Sequence, residues 1–422
     1  MTLDQWLSDI QVLHHQRIDF GLERILPIAQ QLSLTTFSVP VITVAGTNGK
    51  GSTVKTLESI YTAADYRTAL YTSPHILKFN ERIRVNNQEI DDQSLITAFS
   101  VIHQARKDIS LSFFEFTTLA ALYLFQQAKP EVIILEVGLG GRLDAVNIVE
   151  NDLAIVTSID LDHEVYLGNT RESIAYEKAS IARRNKHFLC GDPVPPHTLY
   201  ETVVQRGSIL KNFSYRLSGS SGKNFIFEME EVAWSLPLSA LKLENIACAV
   251  AGVKVLLPEL PVSHDAIARG ITLTDWPGRF EHFYEPFPGI LDVAHNPAAT
   301  AWLSKQCAAL PPVAKTIGIV GMLKDKAITH TIQPMLACVD IWYVCSLLSE
   351  DAERGSDGFL ISHFLKAEGR VVHTFNTVAM AMTTAADAHC KHTADRVLIF
   401  GSFATVAAAK RWLNDKKKNR EH

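Results

Sequence analysis

A glycine-rich turn between an apolar run and a helical pattern is the first feature of the chain with the means to do chemistry. The apolar run covers residues 41–45, and the turn reads Gly46-Thr47-Asn48-Gly49-Lys50-Gly51-Ser52. Backbone N–H groups in such a turn, together with the positive end of the following helix, form a cradle for phosphate groups. Lys50 would reach the outer phosphates of a nucleotide. The sequence therefore predicts phosphate binding at this turn.

The turn departs from the usual P-loop pattern at two positions. Val44 stands where the first glycine is usual, and Gly51 stands where a Ser or Thr that binds Mg²⁺ usually follows the lysine. A hydroxyl ligand for the metal must therefore come from another part of the chain.

A second polar segment follows the apolar run at residues 132–135. It begins with Glu136, continues through three glycines and contains Arg142 and Asp144. Ligands gather at the carboxyl ends of strands in open α/β sheets, and a carboxylate there can hold Mg²⁺ on a phosphate. The alternative is a glycine-rich structural turn with Glu136 as a solvated strand end.

Two further groups leave their function open on pattern alone. His163 follows the strand candidate 152–158 and is either a metal ligand through its neutral imidazole or a structural histidine. Lys178 follows Glu177 at the start of a helical stretch, where the pair would usually be a surface ion pair.

The second half of the chain carries one comparable cluster. Asp292, His295 and Asn296 fall at a strand end and in the following turn, with Pro297 at a helix start. These polar residues either cap the helix or close over a nucleotide. Arg279 stands just before them and would touch phosphate or base.

Composition narrows the class of protein. The chain has 422 residues, 47% hydrophobic and 20% charged, with a net charge of −5 and a pI near 6.3. These values indicate a globular protein of two or three domains without a general nucleic-acid surface. The N-terminal residues lack a signal-peptide pattern, no apolar run is long enough for a bilayer, and six scattered cysteines are expected to be buried, reduced thiols. A cytoplasmic protein with neither a membrane nor a nucleic-acid partner is expected.

The order of the predicted elements indicates an α/β protein of two domains. Strand candidates at 41–46, 67–72, 131–137 and 152–158 alternate with helical patterns at 51–64, 91–107 and 113–128, which predicts a mostly parallel sheet of P-loop type in an N-terminal ATPase domain, residues 1–283. A small antiparallel addition is expected within 206–238, with a turn at 218–222. Residues 284–289 read as a linker. Renewed alternation over 289–422 predicts a smaller Rossmann-like C-terminal domain, whose tail after Asp415 is expected to be frayed.

Taken together, the motifs of this chain resemble those of the Mur ligase superfamily, and most closely its dihydrofolate synthase/folylpolyglutamate synthase family. They occur in family order across nearly the whole chain. They are Gly46 through Ser52, Thr72-Ser73-Pro74-His75, Glu136 through Asn147, Leu161-Asp162-His163, Glu177-Lys178-Ala179, Pro277-Gly278-Arg279-Phe280, Asp292 through Pro297 and Gly401-Ser402. One departure is Glu164-Val165-Tyr166, where related bacterial enzymes often have Thr-Asp-Trp.

The resemblance implies an ATP-dependent ligase that joins L-glutamate to the carboxylate of dihydropteroate and to tetrahydrofolates, through an acyl phosphate. Alternatives are a folylpolyglutamate synthase without the first activity, a cell-wall amino-acid ligase, and a P-loop regulatory switch of another class. The switch would leave Lys178 and the Asp292/His295 motif without a function. The resemblance also implies a monomer whose partners are these small molecules.

The resemblance further assigns residues and cofactors. Lys50, His163 and Lys178 would be catalytic, and Lys178 would be carbamylated by CO₂. Mg²⁺, at two sites, would be held by Ser73, Glu136, His163 and the carbamate, with K⁺ as a further candidate cofactor. ATP would contact Gly46, Thr47, Asn48, Gly49, Lys50, Gly51, Ser52, Asn245, Arg279, Asp292 and His295. The pterin would contact Phe20, Gly21, Ser112, Phe114, Asp144 and Ala145, although plain core packing is an alternative for the phenylalanine.

Overall fold

The computed structural model describes residues 1–16, 18–218, 224–389 and 395–421. The chain divides into two compact units, Met1–Asp275 and Trp276–His422. Each unit is built on its own sheet, as the sequence predicts.

An eight-stranded sheet forms the centre of the first unit. Its spatial order is β4-β3-β2-β5-β1-β6-β7-β8, and all neighbours from β2 to β8 run parallel, whereas β3 and β4 form an antiparallel edge. The strands are β1 Val41–Ala45, β2 Thr68–Tyr71, β3 Ile83–Val85, β4 Gln88–Glu89, β5 Val132–Glu136, β6 Leu153–Val156, β7 His187–Cys190 and β8 Ile209–Lys211. The mostly parallel sheet is confirmed, and its central strands are buried over their whole length because helices cover both faces.

Helix α3 follows the glycine-rich turn and lies in the core of the first unit. A Cβ atom placed on Gly270 of α10 would lie 2.4 Å from the Cα of Ile60 in α3, so these two helices approach at backbone contact. The helices of this unit are α1 Leu3–Gln11, α2 Ile25–Gln31, α3 Lys50–Ala63, α4 Asp92–Arg106, α5 Phe113–Ala128, α6 Glu164–Leu167, α7 Arg171–Ala179, α8 His197–Gln205, α9 Leu243–Val255 and α10 His264–Leu273.

The expected antiparallel addition is present as a three-stranded sheet of β9 Ser214–Leu217, β10 Asn224–Met229 and β11 Val232–Pro237. Phe225, Phe227 and Met229 alternate along β10 and are buried. Residues 219–222 of the predicted turn lie outside the described residues, so that prediction is untested.

The second unit is a doubly wound domain around a six-stranded sheet of order β12-β13-β17-β14-β15-β16, antiparallel only between β12 and β13. Its strands are β12 Glu281–Phe283, β13 Gly289–Leu291, β14 Thr316–Val320, β15 Ile341–Cys345, β16 Val371–Phe375 and β17 Arg396–Phe400. Its helices are α11 Pro297–Ala309, α12 Ile328–Ile332, α13 Phe359–Ala367, α14 Val378–His389 and α15 Phe403–Glu421.

Two predictions about this half of the chain need correction. Residues 284–289 are a hairpin turn inside the second unit rather than a linker, because β12 pairs with β13 and the ring of Phe283 packs onto Gly289. The unit boundary accordingly falls after Asp275, before the end predicted for the first domain. The tail is helical to Glu421 rather than frayed from Asp415, and Lys416 lies 5.4 Å above the ring of Trp412 one turn earlier.

Cysteine usage agrees in part with expectation. Each cysteine in the described part of the chain is a free thiol; Cys248, Cys307 and Cys345 are buried, but Cys190 and Cys338 are half-buried. Cys390 lies outside the described residues. Across the helices that the structure describes, none combines the length and apolar character needed to cross a bilayer.

Candidate active site

The glycine-rich turn leaves β1 and enters α3 through two left-handed glycines. Gly46 has φ +151° and Gly49 has φ +89°. A Cβ atom at position 49 would lie 2.1 Å from Oδ1 of Asn245, so only glycine lets the turn pass this side chain. Asn245, which was predicted to contact ATP and lies almost 200 residues further along the chain, is therefore in contact with the turn.

The turn is held by the residues that follow β6. The Asn48 N–H donates to Oγ of Ser158 over 3.0 Å, and the Thr157 hydroxyl donates to the Asn48 carbonyl over 2.6 Å. The Thr47 N–H donates to the Ser158 carbonyl over 2.8 Å. Thr157 and Ser158 were not identified from the sequence, because nothing local to the turn shows which strand end lies against it.

Lys50 folds back over the turn. Its ammonium donates to the carbonyls of Gly46 at 2.8 Å and Thr47 at 3.3 Å. Gly51 and Ser52 lie buried in the first turn of α3, whose N-terminal end faces this loop. The helix end and the lysine together give the site a positive potential.

Glu136 ends β5 and is 3% exposed. Its Oε2 accepts the hydroxyl proton of Thr72 and, over 3.2 Å, the N–H of Ser73. Because β2 and β5 are parallel neighbours, Ser73 and Glu136 meet at the carboxyl ends of these strands. Their role as metal ligands stays a prediction. The solvated-strand-end alternative for Glu136 is wrong.

His163 immediately precedes α6 and has φ +53°. The loop before it is anchored by Arg171, whose Nε donates to the Ile159 carbonyl at 2.9 Å and whose Nη2 lies 3.1 Å from Asp192. Asp192 in turn accepts the Ile159 N–H at 2.7 Å. Arg171 and Asp192 were not identified from the sequence, and they fix the start of the loop that carries His163.

Lys178 lies in α7 and is 3% exposed, which excludes a surface ion pair with Glu177. Glu177 pairs instead with Arg142, at 2.9 Å. Burial, followed by the positive charge of Lys50, lowers the pKa of Lys178 to about 7, against the opposite effect of the carboxylates of Asp162 and Asp144. The two lysines and both carboxylates are therefore within electrostatic reach of one another, and the lowered pKa favours the neutral amine of Lys178 relative to an exposed lysine.

Asp144 and Ala145 follow the glycines after β5 and are buried. The two oxygens of Asp144 accept the N–H groups of Val146 and Leu139, each at 2.9 Å, and burial raises the pKa of this carboxyl to about 6. Asp144 thus organises the loop between Leu139 and Val146, a role that its spacing in the sequence did not reveal. Its contact with a pterin stays a prediction.

The other residues predicted to bind the pterin lie on α5 and on the N-terminal segment. Ser112 caps α5 by accepting the Glu115 N–H at 3.3 Å. The Phe114 ring packs on Gly138 and lies 5.8 Å from that of Tyr71.

The N-terminal segment carries Phe20 and Gly21. The Phe20 ring meets that of Tyr166 edge to face at 5.7 Å, and Gly21 has φ +138°. Arg24 joins this segment to α5, with ion pairs to Asp19 at 2.7 Å and Glu115 at 3.1 Å.

The second unit gathers its predicted residues at the carboxyl ends of β13 and β17. Asp292 is buried and accepts the N–H groups of Phe280 and Ala294, each at 2.8 Å. Burial raises its pKa, and the Arg279 guanidinium opposes that shift. Arg279 lies 5.1 Å above the ring of Phe403, a residue that sequence reasoning missed.

His295 and Asn296 have distinct roles in this cluster. Nδ1 of His295 is 2.9 Å from the Val293 carbonyl, so Nδ1 carries the proton and donates it. Oδ1 of Asn296 accepts the Ala299 N–H at 3.0 Å and so caps α11. Helix capping was one of the two roles predicted for this cluster. The carboxyl end of β13 in the second unit is therefore followed by polar side chains.

These two sheets and their polar edges define a class of protein. The first unit matches the Mur ligase middle domain over residues 44–189, and the second matches the glutamate ligase domain of Mur ligases over residues 278–403. The fold is that of an ATP-dependent ligase of this type.

Individual relatives narrow the class. The chain is 41% identical over 408 residues to the dihydrofolate synthase/folylpolyglutamate synthase of Escherichia coli, covering 96% of this chain and 94% of the relative. A solved structure of E. coli FolC in complex with DHPP and ADP has a TM-score of 0.92 and 40% identity, covering 99% of each chain. A crystal structure of a bifunctional folylpolyglutamate synthase/dihydrofolate synthase with Mn, AMPPNP and L-glutamate bound has a TM-score of 0.89 and 38% identity, covering 98% of each chain.

The chain belongs to the dihydrofolate synthase/folylpolyglutamate synthase family of the Mur ligases. The resemblance seen in the sequence motifs is confirmed, as is the α/β fold.

Proposed function

We propose that this chain joins L-glutamate to dihydropteroate, which gives dihydrofolate, and to tetrahydrofolates, which extends their glutamate tails. The observation that carries the proposal is the similarity over nearly the whole chain to relatives named for both activities. The same similarity favours folate over a cell-wall substrate and a ligase over a regulatory switch.

The chemistry takes two steps. A carboxylate oxygen of the acyl substrate attacks the γ-phosphorus of ATP, the bond to ADP breaks, and an acyl phosphate forms. The amine of glutamate then attacks the acyl carbon, phosphate leaves with the bonding electrons, and the nitrogen loses a proton. Lys50 and the N-terminal end of α3 stabilise the charge on the transferring phosphoryl group.

Lys178 is carbamylated in this proposal. Its neutral amine attacks CO₂, an N–H proton is released, and a carbamate forms. The burial of the side chain and the lowered pKa of about 7 support the reaction, because only the neutral amine is nucleophilic. The carbamate converts a cation into an oxygen ligand for metal.

Ser73, Glu136, His163 and the carbamate of Lys178 hold Mg²⁺ at two sites, with K⁺ as a further candidate cofactor. Among the described residues, no group of three His, Cys, Asp or Glu side chains is arranged to hold a metal ion. Two of the four proposed ligands are of other kinds, the Ser73 hydroxyl and the Lys178 carbamate. Three of the four ligands supply hard oxygen donors, which fit Mg²⁺, and His163 would add a neutral imidazole nitrogen. When bound, Mg²⁺ neutralises charge on the phosphates.

The remaining assignments follow the same proposal. Residues 46–52, Asn245, Arg279, Asp292 and His295 contact ATP. Phe20, Gly21, Ser112, Phe114, Asp144 and Ala145 contact the pterin. The enzyme acts as a monomer in the cytoplasm on small molecules, with no nucleic-acid or membrane partner.

Glu136→Gln and His163→Ala are each expected to raise the Mg²⁺ concentration at half-maximal activity by at least about tenfold, which corresponds to about 1.4 kcal/mol of metal affinity. Each change removes one ligand from the metal site. Titration of ADP release against Mg²⁺ measures the effect. An unchanged midpoint in both variants contradicts the assignment. The matched control is Glu131→Gln, which changes a half-buried glutamate just before β5.

Omission experiments on the wild-type enzyme test the function. ADP release is expected to require an acyl substrate, either dihydropteroate or a tetrahydrofolate, together with glutamate. Release with tetrahydrofolate but not with dihydropteroate would leave a folylpolyglutamate synthase alone. Release that depends on neither acyl substrate would contradict the proposal.

A further inference from the structure

Arg82 is a cation at the candidate active site to which the motifs assign no function. It ends a single helical turn at residues 79–82 and leads into β3. The Thr72 N–H donates to its carbonyl at 2.9 Å, so Arg82 lies beside the segment that brings Ser73 to Glu136.

The Arg82 side chain is half-buried and held on several sides. Its Nε donates to Nδ1 of His75 at 2.8 Å. The guanidinium carbon lies 5.7 Å from the centre of the Phe79 ring and 5.5 Å from that of Phe113. Two ring contacts and a hydrogen bond restrict the rotamers of a long side chain, so the guanidinium is preorganised.

The charge of Arg82 is not neutralised by an ion pair. Among the described residues, no carboxylate lies within 4 Å of it, whereas Arg84, two residues along, pairs with Glu58 at 3.1 Å. The nearest acidic groups are engaged with other donors. Glu81 accepts the N–H groups of residues 76–78. Glu136 accepts the hydroxyl proton of Thr72 and the N–H of Ser73. A half-buried cation without a paired anion loses part of its hydration without compensation, which favours a site built to receive an anion.

The surroundings of Arg82 indicate which anion this side chain would bind. Phe113 stands between Ser112 and Phe114, two of the residues proposed to contact the pterin, and the Tyr71 ring packs against Phe114 at 5.8 Å. The Arg82 guanidinium lies against the Phe113 ring, next to these pterin contacts. Its carbonyl accepts the N–H of Thr72, whose hydroxyl donates to the proposed metal ligand Glu136, so Arg82 adjoins both sets of residues. Dihydropteroate and the folates share this layout, with a pterin at one end and the reacting carboxylate at the other.

We infer that Arg82 binds the reacting carboxylate of the acyl substrate and holds it for phosphorylation; the inference rests on the proposed function. The planar guanidinium matches a carboxylate through two parallel N–H donors, and a lysine offers no such fork. Arg82 is therefore a substrate-binding residue that selects an acid over an uncharged analogue.

Equilibrium binding of pteroate and of its carboxamide, without ATP, tests the carboxylate contact. Arg82→Met is expected to weaken pteroate binding by at least about tenfold and carboxamide binding by less than about twofold. The pteroate affinity of Arg82→Lys is expected to lie between those of the wild type and Arg82→Met. The lysine variant replaces the methionine variant if the latter does not fold. Arg67→Met replaces an exposed arginine just before β2; it is the matched control and is expected to bind both ligands as the wild type does. Equal losses for both ligands, or no loss for either, overturn the inference.

Steady-state kinetics show which substrate carries the carboxylate that Arg82 binds. In Arg82→Met the KM for dihydropteroate and for tetrahydrofolate is expected to rise by at least about tenfold, with the KM for glutamate and ATP within about twofold of wild type. A rise confined to glutamate, or to tetrahydrofolate with its additional tail carboxylate, overturns the inference. Failure of the proposed function would instead appear in the wild-type enzyme, as ADP release without an acyl substrate.

Discussion

Replacing Lys50 with Met is expected to lower kcat/KM for ATP by at least about a hundredfold, or about 2.7 kcal/mol of transition-state stabilisation. The ammonium is the charged side chain of the glycine-rich turn, and it already lies over the carbonyls of Gly46 and Thr47. Methionine keeps the length of the stem but removes the charge that acts on the transferring phosphoryl group. Initial rates at varied ATP concentration measure the loss.

The control for Lys50 has to separate lost charge from a collapsed turn. Hydrogen bonds from Thr157 and Ser158 hold the turn independently of Lys50, so the melting temperature is expected to stay within about 3 °C of wild type. Lys186→Met removes an exposed lysine of the same unit and is expected to have no effect on rate. Retention of more than about a tenth of wild-type activity, an effect below about 1.4 kcal/mol, contradicts the phosphate role of Lys50.

Lys178→Ala is expected to lower kcat by at least about a hundredfold, and short carboxylic acids such as acetate are expected to restore part of the activity. The side chain is buried within electrostatic reach of Lys50, and its removal leaves a space in which a carboxylate can replace the oxygens of the carbamate. Rates measured with increasing acetate, at constant ionic strength, show the restoration. The matched control Lys186→Ala is expected to keep its activity and to gain nothing from acetate.

The carbamate itself is observable. With ¹³C-bicarbonate, the wild-type enzyme is expected to show a carbamate carbonyl resonance that is absent in Lys178→Ala. A wild-type enzyme with a bare amine in its substrate complex, or an alanine variant with activity within about threefold of wild type, contradicts the proposal for Lys178.

Local features of the sequence predicted the parts of the site that depend on local geometry. Gly46, Gly49 and Lys50 stand at fixed spacing between a β-branched run and a helical pattern, and the structure has a strand, two left-handed glycines and a helix there. Glu136 was identified because a strand buried on both faces has a recognisable apolar run, and its last residue must lie at the carboxyl edge.

Contacts between distant segments could not be predicted in the same way. Thr157 and Ser158 hold the glycine-rich turn, and Asp192 anchors the loop before His163, but these pairings depend on strand order rather than on spacing. Asp144 was predicted from its motif to face the pterin. The structure shows its two oxygens accepting backbone N–H groups, because a short acidic side chain after glycines is also a good turn cap.

The hairpin of β12 and β13 shows why the domain boundary could not be predicted accurately from the sequence. Two prolines between Tyr284 and Gly289 break regular structure, which the sequence indicates correctly. Whether such a break separates two domains or two strands depends on the pairing of Glu281 with Leu291, which three-residue strands do not reveal.

Transfer of oxygen from substrate to phosphate tests the central claim most directly. Dihydropteroate labelled with ¹⁸O at both carboxylate oxygens is incubated with ATP, glutamate and the enzyme, and the mass of the released phosphate is measured. An acyl-phosphate ligase is expected to place one ¹⁸O in each phosphate and to leave the other in the new amide of dihydrofolate. Glutamate-dependent dihydrofolate formation with unlabelled phosphate, or no dihydrofolate at all, would contradict the account.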